Sequence, residues 1–249
     1  MTIEVVLSSG SIPWVFNGDD KVRTALEKGY DGIELLLTRR ALQSLPERLD
    51  WGVFSLHEPF GSGGSKLVHK LSFLDLQPFP TWSGGDFRDL ALSFEAPIVK
   101  HLEKRNFYDL REYLFEKVKN QGNERVALEL KMKSFGGKRV DSEWFLDFVK
   151  RYRCEICFDI GYMAKMGWDP IESFIDLHRH VSIIHFYDMK SVNPNLLEKN
   201  VTPGNGILPL KQFLRVVQTL NWSGQITLEL LPEPLSDHRE ALEFIKRNL

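Results

Sequence analysis

Four short apolar runs in the second half of the chain each end in a residue that can bind a metal ion. They are VALE at 126–129, ICFD at 156–159, SIIH at 182–185 and ITLE at 226–229. Runs without polar alternation are typical of strands that are buried on both faces of a parallel sheet. In a parallel barrel all strands end at one mouth, so the four closing side chains are predicted to converge there.

Apolar runs alternate with helical patterns along the whole chain, which is typical of parallel βαβ units. The pattern predicts an α/β protein with one (β/α)8 TIM barrel as a single domain over residues 1–249, a usual length for this fold. The competing architecture is an open doubly wound sheet, which binds ligands at one switch point rather than at successive strand ends. The predicted strands are 3–7, 32–37, 51–56, 90–94, 126–129, 156–159, 182–185 and 226–229.

Helices are predicted between these strands from spacing and capping signals. Asp141 or Ser142 caps one helix, and Asp169 followed by Pro170 opens another as N-cap and first-turn proline. Residues 66–89 contain prolines and glycines and are too long for a plain connection, so their role is left open. The predicted helices are 19–28, 39–49, 107–119, 142–151, one from 170, 209–220 and 237–247.

The charge balance argues against a nucleic-acid partner. The chain has 32 basic and 34 acidic residues and a net charge of -2, so there is no overall basic footprint. The first residues lack the features of a signal peptide, and no apolar run approaches the ~20 residues that span a bilayer. A cytoplasmic protein without a membrane partner is therefore predicted.

The two cysteines form a Cys-x-x-Cys motif at Cys154 and Cys157. Residues three apart on a strand point to opposite faces, so the pair is not expected to chelate a metal ion together. There is no second pair to complete a zinc site. We expect one thiol to be buried and the other to be exposed.

The four strand ends, Glu129, Asp159, His185 and Glu229, form the predicted metal site. Three carboxylates and one imidazole suit one divalent ion such as Mn²⁺, Mg²⁺, Co²⁺ or Zn²⁺, and no organic cofactor is expected. Any one of these residues alone would more simply be a strand-end polar group bonded to a neighbouring loop. Their recurrence at consecutive strand ends favours the metal.

Further polar residues are predicted at the same mouth. His57 and Glu95 follow the third and fourth predicted strands, where they are ligands of a second metal, contacts for substrate, or structural hydrogen-bond partners. Glu34 lies inside its strand, which favours a buried hydrogen bond to backbone. Trp14 follows the first strand and is a candidate apolar wall for substrate or a packing residue.

A basic loop follows the fifth strand, with basic residues at Lys131, Lys133, Lys138 and Arg139. These side chains either reach a substrate phosphate or carboxylate, or form a solvated loop. Of the four, Lys131 is the candidate for substrate binding.

Several short motifs together resemble the xylose isomerase-like TIM-barrel superfamily. This superfamily includes sugar isomerases and epimerases, inosose-type enzymes and endonuclease IV. It is also called AP endonuclease family 2. The resemblance covers nearly the whole chain except residues 66–89. The motifs are GYDGIE at 29–34, LHEP at 56–59, LE at 128–129, FDIG at 158–161, IHFYD at 184–188, PGNG at 203–206 and LE at 228–229.

The resemblance implies a metal-dependent isomerase or epimerase. Glu129, Asp159, His185 and Glu229 match the single-metal site of the ketose 3-epimerases, in which the two glutamates also transfer protons through a metal-stabilised enediolate. The implied substrate is a small carbohydrate-like molecule, namely a sugar, a sugar phosphate or a keto-sugar. A homo-oligomer is left open. The alternatives are an endonuclease IV-like AP endonuclease or phosphodiesterase, and a metal-dependent dehydratase of the same superfamily.

The sequence departs from the superfamily pattern at Tyr162. Three residues after the strand-end aspartate the family often has a histidine, which touches substrate in the epimerases and helps to bind a third zinc in endonuclease IV. Here the residue is Tyr162, a candidate substrate contact through its hydroxyl group. No Asp-x-His follows His185, and Glu95 stands where the endonuclease would have a histidine. These departures argue against a three-metal phosphodiesterase.

Overall fold

The computed structural model describes residues 2–12, 18–36, 53–57, 96–104, 106–192, 200–233 and 235–249. Eight of its strands pair in parallel with their neighbours, and β1 pairs with both β2 and β10 to close the barrel. The other two strands, β6 and β7, form an antiparallel hairpin. The predicted (β/α)8 barrel is thereby confirmed. The strands are β1 (Ile3–Ser8), β2 (Gly32–Leu36), β3 (Val53–His57), β4 (Ile98–Leu102), β5 (Val126–Leu130), β6 (Ser134–Phe135), β7 (Lys138–Arg139), β8 (Glu155–Asp159), β9 (Val181–Phe186) and β10 (Gly224–Leu228).

Helices cover the outside of the barrel, and two of them begin at capping residues that the sequence predicts, whereas Asp19 and Asp20 lie inside the first helix rather than capping it. The carboxylate of Asp141 accepts a hydrogen bond from the backbone of Trp144, and Asp169 does the same for Ile171 and Glu172. The predicted helix 39–49 and the segment 66–89 fall outside the described residues. The helices are α1 (Gly18–Glu27), α2 (Phe107–Lys119), α3 (Ser142–Arg151), α4 (Ile160–Met166), α5 (Pro170–Leu177), α6 (Leu210–Thr219) and α7 (His238–Asn248).

The predicted position of the fourth strand is wrong. Strand β4 spans Ile98–Leu102, so it begins three residues after Glu95 rather than ending before it. The strand is completely buried but contains two basic residues, which made it look like a loop. The ammonium group of Lys100 lies 4.8 Å from the centre of the Tyr113 ring, and this contact lets a lysine occupy a strand. The residues at 90–94 lie outside the described part of the chain.

A small apolar cluster distinct from the main core has one member in each of four neighbouring strands. It consists of Val99, Ala127, Cys157 and Ile183, all with 1% exposure or less. Two residues further along each strand, on the same face, come His101, Glu129, Asp159 and His185. The strand period of two therefore places a polar layer directly above an apolar one at the carboxyl ends of these strands.

Both thiols are buried, contrary to the expectation that one would be exposed. Cys157 belongs to the apolar cluster and has no exposed surface, while Cys154 precedes β8 and is 8% exposed. Both are free cysteines. Across the described ranges, no helix is both long enough and apolar enough to cross a membrane.

Candidate metal and proton-transfer site

The predicted ligands Glu129, Asp159 and His185 meet in the polar layer. Each offers one ligand atom, and these three atoms lie within 4.8 Å of one another. The Nδ1 atom of His185 is 3.5 Å from Glu129 Oε1 and 3.4 Å from Glu229 Oε1. One nitrogen atom of His185 thus lies close to both glutamates for which the resemblance implies proton transfer.

Glu229 approaches this group from the first position after β10. Its side chain is 20% exposed, whereas that of Glu129 is 1% exposed. In the described structure, Glu229 also belongs to a second ligand group with Glu34, His57 and His185. The four predicted ligands therefore converge, but across two overlapping groups rather than as one isolated tetrad.

Asp159 is held by several donors at the end of β8. Its Oδ1 atom accepts hydrogen bonds from the backbone N–H of Tyr162 at 2.7 Å and from the hydroxyl of Tyr187 at 2.8 Å. The first bond makes Asp159 the N-cap of α4, a helix that the sequence reading missed. These bonds fix the carboxylate and leave Oδ2 directed towards Lys131.

A histidine that the sequence reading did not identify, His101, completes the layer. Its Nε2 atom lies 2.8 Å from Glu129 Oε2, and its ring packs edge-on against His57 with 5.0 Å between centroids. His57, His101 and Glu129 form a third ligand group. The strand alternation was the available signal, because His101 lies two residues after the interior Val99. The fourth strand thus brings a histidine to the mouth where Glu95 had been predicted.

His57 is buried inside the barrel rather than open to solvent. Its Nε2 atom is 3.7 Å from Glu129 Oε2, and its ring stacks on that of His185 with 5.4 Å between centroids. Glu34 is also fully buried, and its partners are side chains rather than backbone, contrary to expectation. It accepts a hydrogen bond from Ser55 at 2.9 Å and lies 3.1 Å from His185 Nε2.

Lys131 enters the site while the rest of its loop does not. Its ammonium group contacts Glu129 and lies 2.7 Å from Asp159 Oδ2. The hydroxyl of Tyr162 donates a 2.5 Å hydrogen bond to the backbone oxygen of Lys131. The roles of Lys131 and Tyr162 in substrate binding stay predictions, and the hydroxyl group of Tyr162 is engaged with the chain itself.

The remaining predicted residues lie elsewhere. Lys133, Lys138 and Arg139 are exposed along the β6–β7 hairpin, as expected for a solvated loop. Trp14 and Glu95 lie outside the described residues, so their predicted substrate contacts stay predictions.

The environment shifts the pKa values of the two proton-transfer candidates, Glu129 and Glu229, in opposite directions. Burial would raise the pKa of Glu129, but the charges of Lys131 and His101 outweigh it and hold that pKa well below its usual range. Burial raises the pKa of Glu229, and repulsion from Glu129 adds to this despite the opposing effect of His185. Two carboxyl groups whose pKa values are driven apart are typical of acid–base pairs.

The surrounding acidic groups raise the pKa values of the basic residues Lys131 and His185. Burial would lower the pKa of Lys131, but Asp159 and Glu129 raise it well above its usual range. Burial would also lower the pKa of His185, and this effect is exceeded by Cys157, Glu229 and Glu34, which raise it. The site is therefore a compact set of opposite charges in a water-poor interior.

These residues fit a divalent metal ion. Both oxygen atoms of Glu129 and the Nδ1 atom of His185 are buried, and among the described residues they make no hydrogen bond of ordinary geometry, although the ammonium group of Lys131 and the ring of His101 contact Glu129. Buried polar atoms normally make such bonds, and a bound cation would satisfy all three of these atoms. Carboxylate oxygens and imidazole nitrogens are suitable donors for Mn²⁺, Co²⁺ or Zn²⁺. The ammonium group of Lys131 occupies part of the same space.

The family follows from the sequence match. Residues 99–248, more than half of the chain, match the family model described as xylose isomerase-like TIM barrel. The chain belongs to the xylose isomerase-like TIM-barrel family. The match includes β4 to α7 and hence His101, Glu129, Asp159, His185 and Glu229. A search of curated protein sequences gives no match.

Solved structures share the barrel of this xylose isomerase-like protein at low sequence identity. A D-tagatose 3-epimerase-like protein has a TM-score of 0.66 and 19% identity, covering 98% of this chain and 96% of that one. The zinc-bound IolI protein has a TM-score of 0.66 and 15% identity, with coverage of 98% and 96%. A probable 3-DHS dehydratase, AsbF, from Bacillus anthracis has a TM-score of 0.60 and 17% identity, with coverage of 98% and 97%. At these identities the likeness shows the fold alone.

Proposed function

We propose that this xylose isomerase-like barrel is a divalent-metal-dependent isomerase or epimerase of a small carbohydrate-like molecule. The observation that carries the proposal is the convergence of Glu129 and Glu229 on His185, beside Asp159. The sugar-epimerase and zinc-bound structures of the same fold support it. The extent of the domain over residues 1–249 and the cytoplasmic location stay predictions.

Glu129, Asp159, His185 and Glu229 would hold the ion. When bound, the ion would supply Lewis acidity, which makes the carbon between two neighbouring substrate oxygens more acidic. The chain itself fixes the ligands: Tyr162 and Tyr187 orient Asp159, and Glu34 lies against the Nε2 atom of His185. Such supporting contacts commonly determine the geometry of a metal site.

Glu229 and Glu129 would move the protons. Glu229 has the more exposed side chain, so it exchanges a proton with substrate that enters from the mouth. Glu129 lies deeper, 3.5 Å from the same Nδ1 atom of His185, and would act on the opposite face of the substrate. A positioned carboxyl group of this kind typically contributes ~10²–10⁴-fold to the rate.

The charge of the site favours a neutral substrate. Among the described residues the site holds four carboxylates, Glu34, Glu129, Asp159 and Glu229, and one lysine ammonium group, that of Lys131. With the histidines neutral, the four carboxylates still outnumber the three positive charges of a divalent ion and the lysine, so an added phosphate would meet net negative charge, which costs energy in a region of low dielectric. We therefore favour an unphosphorylated hydroxy-carbonyl compound over a sugar phosphate.

The experiment measures deuterium uptake from D2O into candidate ketoses in the presence of Mn²⁺. The wild-type protein should exchange the hydrogen on the carbon next to the carbonyl group, and Glu229→Gln should reduce the exchange rate by about 10²-fold or more because one proton-transfer group is lost. Glu129→Gln should reduce it similarly. Glu143→Gln, an exposed change in the first turn of α3, is the matched control and should retain full exchange.

The results have distinct meanings. Persistent exchange in both Glu129→Gln and Glu229→Gln would show that these residues do not transfer the protons. Exchange into none of a broad panel of ketoses by the wild-type protein would contradict the proposed reaction class. Product analysis by NMR then separates an epimer from a ketose–aldose isomer.

A dehydratase is the second candidate function. The structural likeness to a probable dehydratase favours it, and the same carboxylates could remove a proton before water is lost. Formation of an unsaturated product, seen as ultraviolet absorbance, would distinguish it from epimerisation. The sequence argued against the phosphodiesterase alternative partly because Glu95 stands where the endonuclease would have a histidine. That objection is wrong, since His101 supplies a histidine at the fourth strand.

A further inference from the structure

Lys131 makes three contacts that place it at the site, two through its backbone and one through its side chain. Its backbone N–H donates a 3.0 Å hydrogen bond to the carbonyl oxygen of Leu102 on β4. Its backbone carbonyl accepts the bond from the hydroxyl of Tyr162, and its ammonium group lies 4.9 Å from the centre of the same ring. The two backbone bonds fix the main chain of the residue and hence the direction in which its side chain leaves it, while the torsions of the side chain can still change.

Strand alternation directs this side chain inward. Glu129 faces the barrel interior, and Lys131 follows it by two residues, which is the period that keeps successive side chains on one face. The ammonium group contacts Glu129 and lies 2.7 Å from Asp159 Oδ2. Only 19% of the lysine side chain is exposed, so the charge is largely withdrawn from solvent.

The lysine thus makes with two carboxylates the contacts that a divalent cation would make. The Oδ1 atom of Asp159 already accepts two hydrogen bonds, which leaves Oδ2 as the oxygen available to a cation. Lys131 holds that oxygen and also contacts Glu129. An ammonium group and a divalent ion cannot share these oxygens at close range, because they exclude each other sterically and repel each other electrostatically.

We propose that Lys131 is an internal cation of the metal site: it holds Glu129 and Asp159 together without metal, and a divalent ion binds only by displacing it. The metal affinity of the protein is therefore set partly by the strength of the lysine contacts. This lowers occupancy at low metal concentration and keeps the carboxylates together in the metal-free protein. The inference rests on the metal site of the proposed function.

Calorimetric titration of the chelator-stripped protein with Mn²⁺ alone tests the competition. Lys131→Met keeps most of the length of the side chain and removes its charge, so it should bind Mn²⁺ about 5- to 150-fold more tightly than the wild-type protein, the usual range for coupling between two ligands. Lys133→Met removes the same charge from an exposed position in the same loop and is the matched control. Its Mn²⁺ affinity should stay within about twofold of wild type.

A second measurement uses the unaltered protein, because Lys131→Met leaves two buried carboxylates together and could impair folding. Reductive methylation followed by mass spectrometry reports the reactivity of each lysine. Mn²⁺ should increase the labelling of Lys131 and leave that of Lys133 unchanged. If Mn²⁺ does not increase the labelling of Lys131, the ion does not displace this side chain and the proposal is overturned.

The failure of this inference can be distinguished from failure of the proposed function. Equal Mn²⁺ affinity in the wild-type protein and Lys131→Met overturns the competition while the metal site stands. Absence of Mn²⁺ binding in both proteins overturns the metal site itself and the competition with it. If Lys131→Met binds Mn²⁺ more tightly than the wild-type protein and Lys133→Met does not, the result supports both the metal site and the competition.

Discussion

Removal of the Asp188 carboxylate should destabilise the barrel, because this side chain organises the loop between β9 and α6. Asp188 is 1% exposed. Its Oδ1 atom accepts hydrogen bonds from the backbone N–H groups of Met189 at 2.8 Å and Leu208 at 3.1 Å. Its Oδ2 atom accepts those of Gly204 and Gly206, each at 3.0 Å. One carboxylate thus holds four amides from two ends of the loop.

The size of the expected loss of stability depends on which of these four N–H groups can reach water. Gly204 is exposed and Gly206 is partly exposed, so in Asp188→Ala their N–H groups can bind solvent. Met189 and Leu208 are buried and lose their acceptor. Each buried donor without a partner costs about 1–3 kcal/mol, so the change should reduce the free energy of unfolding by roughly 4 kcal/mol. For a domain of this size that lowers Tm by roughly 8–16 °C.

The assay is chemical denaturation followed by circular dichroism, with Asp169→Ala as the matched control. Asp169 also accepts two backbone N–H bonds, from Ile171 and Glu172, but it is exposed at the start of α5. Loss of such an N-cap typically costs ~1 kcal/mol. If Asp188→Ala were no more destabilising than Asp169→Ala, the buried N–H groups of Met189 and Leu208 would not depend on this carboxylate.

Two further predictions concern the thiols and a surface ion pair. Burial raises the pKa of Cys154 to about 12 and that of Cys157 further, so at pH 8 both should react slowly with a disulfide reagent until the protein unfolds; rapid modification of the native protein would contradict this. Arg125 forms two hydrogen bonds with Glu155, at 2.8 and 2.9 Å, but its side chain is 52% exposed. Glu155→Gln should therefore change the free energy of unfolding by less than about 1 kcal/mol, and a much larger loss in denaturant titration would show that the pair is not screened by solvent.

The barrel was predictable because its strands read as apolar runs closed by polar residues. Strands β5, β8, β9 and β10 occur within one or two residues of their predicted bounds. Strand β4 was not found, because Lys100 and His101 give it the composition of a loop. The lysine packs on Tyr113 and the histidine meets Glu129, and both compensations arise only in the folded barrel.

The contacts of Lys131 in the site could not be predicted from the sequence. In sequence it begins a basic stretch that ends at Arg139, and a solvated loop was the simpler reading for the stretch. The period of two from Glu129 was a usable signal that its side chain would face inward. Its contacts with Asp159 and Tyr162 depend on the pairing of β5 with β8 and on α4, a helix that was not predicted.

The most direct test of the metal site is diffraction from crystals soaked in Mn²⁺, with anomalous data collected near the manganese edge. We expect one strong anomalous peak bound by Glu129, Asp159, His185 and Glu229, with the ammonium group of Lys131 moved away from Asp159. Absence of a peak at these residues in metal-replete crystals would show that they do not form a metal site, and an ion bound while Lys131 still contacts both carboxylates would show that the lysine is not displaced.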